Sequence, residues 1–148
     1  MKLVSYLKDE HDQLAILENN LLYDTDLLHM EMPSSMNMFL TYWEDNYALA
    51  LNLNQAILDD RYSKSKGLPA EEASLLAPVP FPTSLRDGYA FRQHVATARR
   101  NRKAPMIPAF DEYPVFYFSN HHCIQGPGPV MCMPDHLNKL DFELEVAI

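Results

Sequence analysis

The 148 residues are 47% hydrophobic, enough for one ordinary domain or a small domain plus part of another, and this excludes wholesale disorder. Twenty acids against 12 bases give a formal net charge of −8, which repels phosphate backbones and argues against a nucleic-acid partner. Cys123 and Cys132 are too few for a disulfide framework, the N-terminus lacks a signal-peptide pattern, and no apolar run is long enough to cross a bilayer; the expectation is a soluble, cytoplasmic protein with no membrane partner.

Leu3 to Leu7 reads as a short strand, followed by a polar turn over Lys8 to Asp12. Gln13 to Leu17 and Leu21 to Tyr23 read as a hairpin turning at Glu18-Asn19-Asn20, because Asn tolerates the positive φ of a tight turn. Ser35 is a natural N-cap for a helix carrying Met36, Phe39, Leu40 and Trp43. A second helix is expected over Tyr47 to Leu58, with Leu49, Leu51, Leu53 and Ile57 as its apolar side. Residues 1 to 70 thus form a small α+β module that packs and positions.

Gly67-Leu68-Pro69 is a boundary signal, and Pro78, Pro80 and Pro82 favour an extended segment. The domain junction is expected between residues 68 and 83, dividing the chain into 1–70 and 71–148. Tyr89 to Arg102 reads as a helix with Phe91, Val95 and Ala98 on one face, His94 at its margin and Asp87 as its cap. Val115 to Phe118 reads as a strand, and Gln125 to Pro129 as a turn. From Leu140 the chain alternates: Leu140, Phe142, Leu144 and Val146 share one face of a strand, and Asp141, Glu143 and Glu145 the other. An apolar strand at the last residues suggests an N-terminal fragment of a longer protein.

Two stretches are chemically dense. Leu85 to His94 packs an acid, a phenol and an imidazole together, and Leu140 to Val146 carries paired glutamates. If they meet in space, Glu143 and Glu145 leave one side of a strand and converge with Asp87 on a hard divalent cation, beside His94 as a base. The same residues fit a plainer account. Alternating acids also make a solvated face or a protected sheet edge, Asp87 a helix cap, and His94 a histidine at the edge of a core. Tyr89 and Tyr117 also fit as packing residues, and Arg99 to Lys103 as a solvated helix end or a carboxylate anchor. His121, His122, Cys123, Cys132 and His136 lack the spacing of a zinc finger, and there is no phosphate loop or nucleophile elbow.

Four ordered motifs resemble the fumarylacetoacetate hydrolase family: Arg86-Asp87-Gly88-Tyr89-Ala90-Phe91-Arg92-Gln93-His94, Pro114-Val115-Phe116-Tyr117, Ile124-Gln125-Gly126-Pro127-Gly128 and Lys139-Leu140-Asp141-Phe142-Glu143-Leu144-Glu145. The resemblance covers residues 72 to 148, and residues 1 to 70 resemble the small N-terminal domain of some members. It implies an α+β chain in which that domain precedes the start of a mixed-sheet, β-roll catalytic domain. It implies metal ligation by Asp87, Glu143 and Glu145, catalysis by His94, and substrate contacts from Tyr89, Tyr117 and Arg102, with Arg99 the alternative basic contact. The implied cofactor is a divalent cation, Mg²⁺ foremost, with Mn²⁺ or Ca²⁺ as alternatives. The implied reaction is metal-dependent C–C hydrolysis of a fumarylacetoacetate- or acylpyruvate-like 1,3-dicarbonyl acid, in which the ion stabilises the enolate and His94 activates water. A 2-oxo-diacid decarboxylase or isomerase is the alternative within the family, and an inactive structural or binding module is the alternative outside it. The family also carries a further aspartate, a lysine and in some members a glutamate later in the chain, and the full-length protein is expected to be a homodimer.

Overall fold

A computed structural model describes residues 1–148 as a mixed α+β structure built on a curled antiparallel sheet. The first three strands, β1 (Lys2–Lys8), β2 (His11–Glu18) and β3 (Leu21–Asp24), form a meander with two-residue turns, and a one-turn helix, α1 (Thr25–Leu28), follows β3. Asn19 and Asn20 both take positive φ, as the sequence reading requires, and so do Asp9 and Glu10 in the first turn. Positive φ at both turn residues matches the twist of flanking strands, so it gives tight hairpins. Asn accommodates it readily; Glu10 does so against its own Cβ.

Alternation along the strands gives the sheet two apolar faces. Leu14, Ile16 and Tyr23 point to one side, where α2 (Met36–Thr41) and α3 (Trp43–Leu58) cover them with Met36, Phe39, Ala50, Leu53 and Ile57. Burying a large side chain of this kind contributes about 1.5–3 kcal/mol. Ser35 caps α2 by accepting the Met38 N–H. Asn46 donates to the carbonyls of Met38 and Phe39, so it ties α3 to the end of α2. The buried side of α3 includes Ala50 rather than Leu51, which is exposed; Leu53 and Ile57 are buried, and Leu49 packs at the edge of the core. Positions 50, 53 and 57 lie on one helical face, and residue 51 is a full 100° step away from 50.

The opposite face holds Tyr6, Ala15 and Leu22, flanked by Leu68, Ala70 and Ala73. These flanking residues belong to the segment around β4 (Leu68–Pro69) and β5 (Ser74–Leu75). β4 pairs with β3 and β5 pairs with β1, so one short segment crosses from one edge of the meander to the other. Ala70 N–H bonds to Asn20 O, and Leu76 N–H to Ser5 O. Further along, Ser5 Oγ donates to Pro78 O, Asn37 Nδ2 donates to Phe81 O, and Val79 packs on the core. The packed unit therefore runs past residue 70 to Phe81, through the stretch where composition suggests a junction.

The later elements are sparser. A two-stranded ribbon, β6 (Leu85–Gly88) and β7 (Phe116–Ser119), is joined through α4 (Arg92–Asn101), and α5 (Pro134–Leu137) follows. Gly126 lies so close to the backbone of Leu75 and Leu76 that a Cβ there would overlap them, so its loop rests on the β5 side of the sheet. No helix is long and apolar enough to cross a membrane.

Candidate functional site

The ribbon sets Asp87 opposite Tyr117 and Arg86 opposite Phe118. The ladder runs on through the Tyr89 N–H to the Val115 carbonyl at 3.0 Å. Alternate residues of paired strands share a face. Asp87, Tyr89 and Tyr117 therefore stand on one face, and Arg86, Phe116 and Phe118 on the other. The second face is confirmed by the Arg86 guanidinium, which lies 5.4 and 4.9 Å from the two phenylalanine ring centres.

After Gly88 the chain turns sharply: Ala90 N–H bonds to Gly88 O at 2.8 Å, a three-residue turn. α4 then starts at Arg92, with Phe91 as N-cap residue and His94 in the first turn. The turn brings the Tyr89 ring edge-on to the His94 ring, 5.8 Å between centres and 85° between planes. On its other side Tyr89 meets Phe110 edge-on at 6.3 Å. Phe110 belongs to the short helical turn Pro108–Asp111, and the Arg92 guanidinium grips Asp111 through two bonds of 2.8 and 3.2 Å. This pairing holds the Asp111 carboxyl below the usual carboxylate range and raises Arg92. Arg92, Phe110 and Asp111 are thus positioning residues that the sequence alone does not single out, because two opposite charges 19 residues apart carry no local signal.

Several expectations are corrected here. Asp87 is a strand residue, not the cap of α4, and the helix spans Arg92–Asn101 rather than starting at Tyr89. Phe91 is 80% exposed instead of lining the helix core with Val95. Glu143 and Glu145 do not lie on a strand: residues 138 to 148 have no regular secondary structure, because an alternating segment gains no ladder without a neighbour to pair with.

The sequence-derived site residues fall into three groups. Asp87, Tyr89 and Tyr117 share the ribbon face, with His94 edge-on to Tyr89. Glu143 and Glu145 stand exposed on the trailing segment. Arg102 follows the last turn of α4, about 12 Å along the axis from His94 by helical rise. Arg99 is committed to its own loop, donating to Pro105 O at 2.7 Å. No three His, Cys, Asp or Glu side chains gather closely enough to hold a metal ion. As placed, Asp87, Glu143 and Glu145 do not fit a shared cation.

Comparison with protein-family models, with curated proteins and with solved structures finds no match to this chain.

Proposed function

We propose that this chain contributes to a hydrolase of the fumarylacetoacetate hydrolase type, which cleaves a C–C bond in a fumarylacetoacetate- or acylpyruvate-like 1,3-dicarbonyl acid. The observation that supports it most is the ribbon face where Asp87, Tyr89 and Tyr117 stand together and His94 is braced against Tyr89. The ordered motifs noted above supply the reaction class. Asp87, Glu143 and Glu145 are the proposed ligands of a divalent cation, Mg²⁺ foremost. They are not gathered in this arrangement, so the chemistry that follows from its geometry belongs to His94 and its neighbours.

Neutral His94 takes a proton from water as the oxygen attacks the substrate carbonyl. The C–C bond beside that carbonyl breaks, giving a carboxylic acid and a carbanion conjugated to the remaining carbonyl. The imidazolium returns its proton to that carbon, so one water is consumed and two acids leave. Tyr89 fixes the ring direction of His94, and Tyr117 offers a hydroxyl to the substrate from the same face.

The test uses the full-length protein with an acylpyruvate and Mg²⁺, with both acid products quantified. His94→Ala is expected to lower turnover about 10²–10⁴-fold, the usual contribution of a general base. Glu143→Gln is expected to abolish cation-dependent turnover. Full activity in either variant refutes the assignment of that residue, and CO₂ release in place of a second acid identifies a decarboxylase instead.

A further inference from the structure

The trailing segment and the ribbon are each incomplete, and in complementary ways. Phe142, Leu144 and Val146 are 83%, 92% and 90% exposed, and they alternate with Asp141, Glu143 and Glu145. The ribbon has only two strands, so the outer edge of β7 has no strand partner, and Phe116 and Phe118 are exposed on one of its faces. An unpaired edge beside exposed aromatics is a template for another strand.

We propose that residues 140–146 dock along the free edge of β7 as a third strand of the ribbon. The pattern of side chains decides which way the strand faces. Its apolar residues cover Phe116 and Phe118, and its acids come to the face of Asp87 and Tyr117; a slip of one residue would reverse both and place carboxylates on the aromatic rings. The choice of edge follows from the opposite residues. Beside β7 the apolar side chains meet Phe116 and Phe118 directly, whereas the same face of β6 offers Arg86 and Gly88. Docking beside β7 also puts Tyr117, not Asp87, next to the incoming acids and avoids a direct carboxylate pair across strands. The 20 residues from Asn120 to Lys139 can reach about 66 Å when extended, so the connection does not limit the docking. The docked strand deepens the metal reading given above, because it carries Glu143 and Glu145 onto the face that already holds Asp87.

Hydrogen exchange of the 148-residue chain in EDTA tests it. The alternate backbone amides within 141–146 that face β7 are expected to exchange at least tenfold more slowly than in the isolated peptide of residues 140–148. Phe118→Asp and, separately, Leu144→Asp are expected to remove that protection, while Leu27→Asp, on an exposed site elsewhere, leaves it intact. Peptide-like exchange in the unaltered chain overturns docking. Protection that grows with protein concentration also overturns it, because the occupant is then a second copy. Calorimetry with Mg²⁺ separates the two readings: protection without binding heat sinks the cation site alone, and heat without protection sinks the third strand alone.

Discussion

The two halves of the chain differ most in what they bury. Val95 is the one buried residue beyond Ala77 out of 21, so the first half holds nearly all of the core. In that half, strand alternation, helix faces and tight turns all point to the same packing. The second half carries Asp87, Tyr89, His94 and Tyr117, and braces them with aromatic edges and an exposed Arg92–Asp111 pair. Stability and the proposed site therefore sit on different stretches, and a substitution should announce which one it touches.

The sharpest contrast is between two phenylalanines. Phe39 is fully buried between the sheet and α3, so Phe39→Ala should cost about 3–5 kcal/mol in urea unfolding. Phe91→Ala removes an exposed ring and should change stability by no more than about 0.5 kcal/mol. Similar losses at both positions would dissolve the distinction between the halves.

A second contrast is set by pH. On the sheet face away from α2 and α3 the Tyr6 hydroxyl donates to Asp24 Oδ1 at 2.6 Å, and Lys8 Nζ donates to Asp24 Oδ2. Burial, then the bond to Asp24, pushes the Tyr6 phenol above its ordinary 10.0. Lys8 is raised chiefly by its bond to the same carboxylate. Both folded values lie above the unfolded ones, so their stabilisation is complete below about pH 10 and is lost as the pH rises beyond it. Unfolding followed from pH 8 to 11 should show this loss. Tyr6→Phe should flatten it, while costing about 1.5–3 kcal/mol at neutral pH through the lost bond to a charged acceptor. An unchanged alkaline slope in the variant would place the titrating group elsewhere.

One expected effect is a gain. Glu10 sits at φ 66, where a Cβ is crowded. Glu10→Gly should stabilise the β1–β2 hairpin by about 1 kcal/mol, read as a rise in melting temperature. A loss would mean that the Glu10 side chain makes a contact that outweighs its backbone strain.

What the sequence makes legible follows the same division. The Asn19-Asn20 turn, the Ser35 cap and the strand at Phe116 each rest on local chemistry, and each is found where local chemistry puts it. Asp87 is misread because Asp and Gly are poor strand formers, so Arg86-Asp87-Gly88 looks like the run-in to a helix; pairing with the aromatic β7 overrides that preference. The strands at 68–69 and 74–75 are two residues each, too short for any periodicity to mark. The grip of Arg92 on Asp111 depends on a chain reversal that no window of sequence contains. On the ribbon side, then, motifs mark the residues proposed for the site, while their arrangement depends on contacts made at long range.

The segment that crosses between β4 and β5 has one more consequence. Long bare strand edges recruit neighbouring molecules into shared sheets, and very short edge strands are a known safeguard against such aggregation. Here a single stretch blunts both margins of the meander at once, leaving two-residue strands outermost. Cutting the chain just after Gly67 would strip both margins together and bare β1 and β3 to self-association.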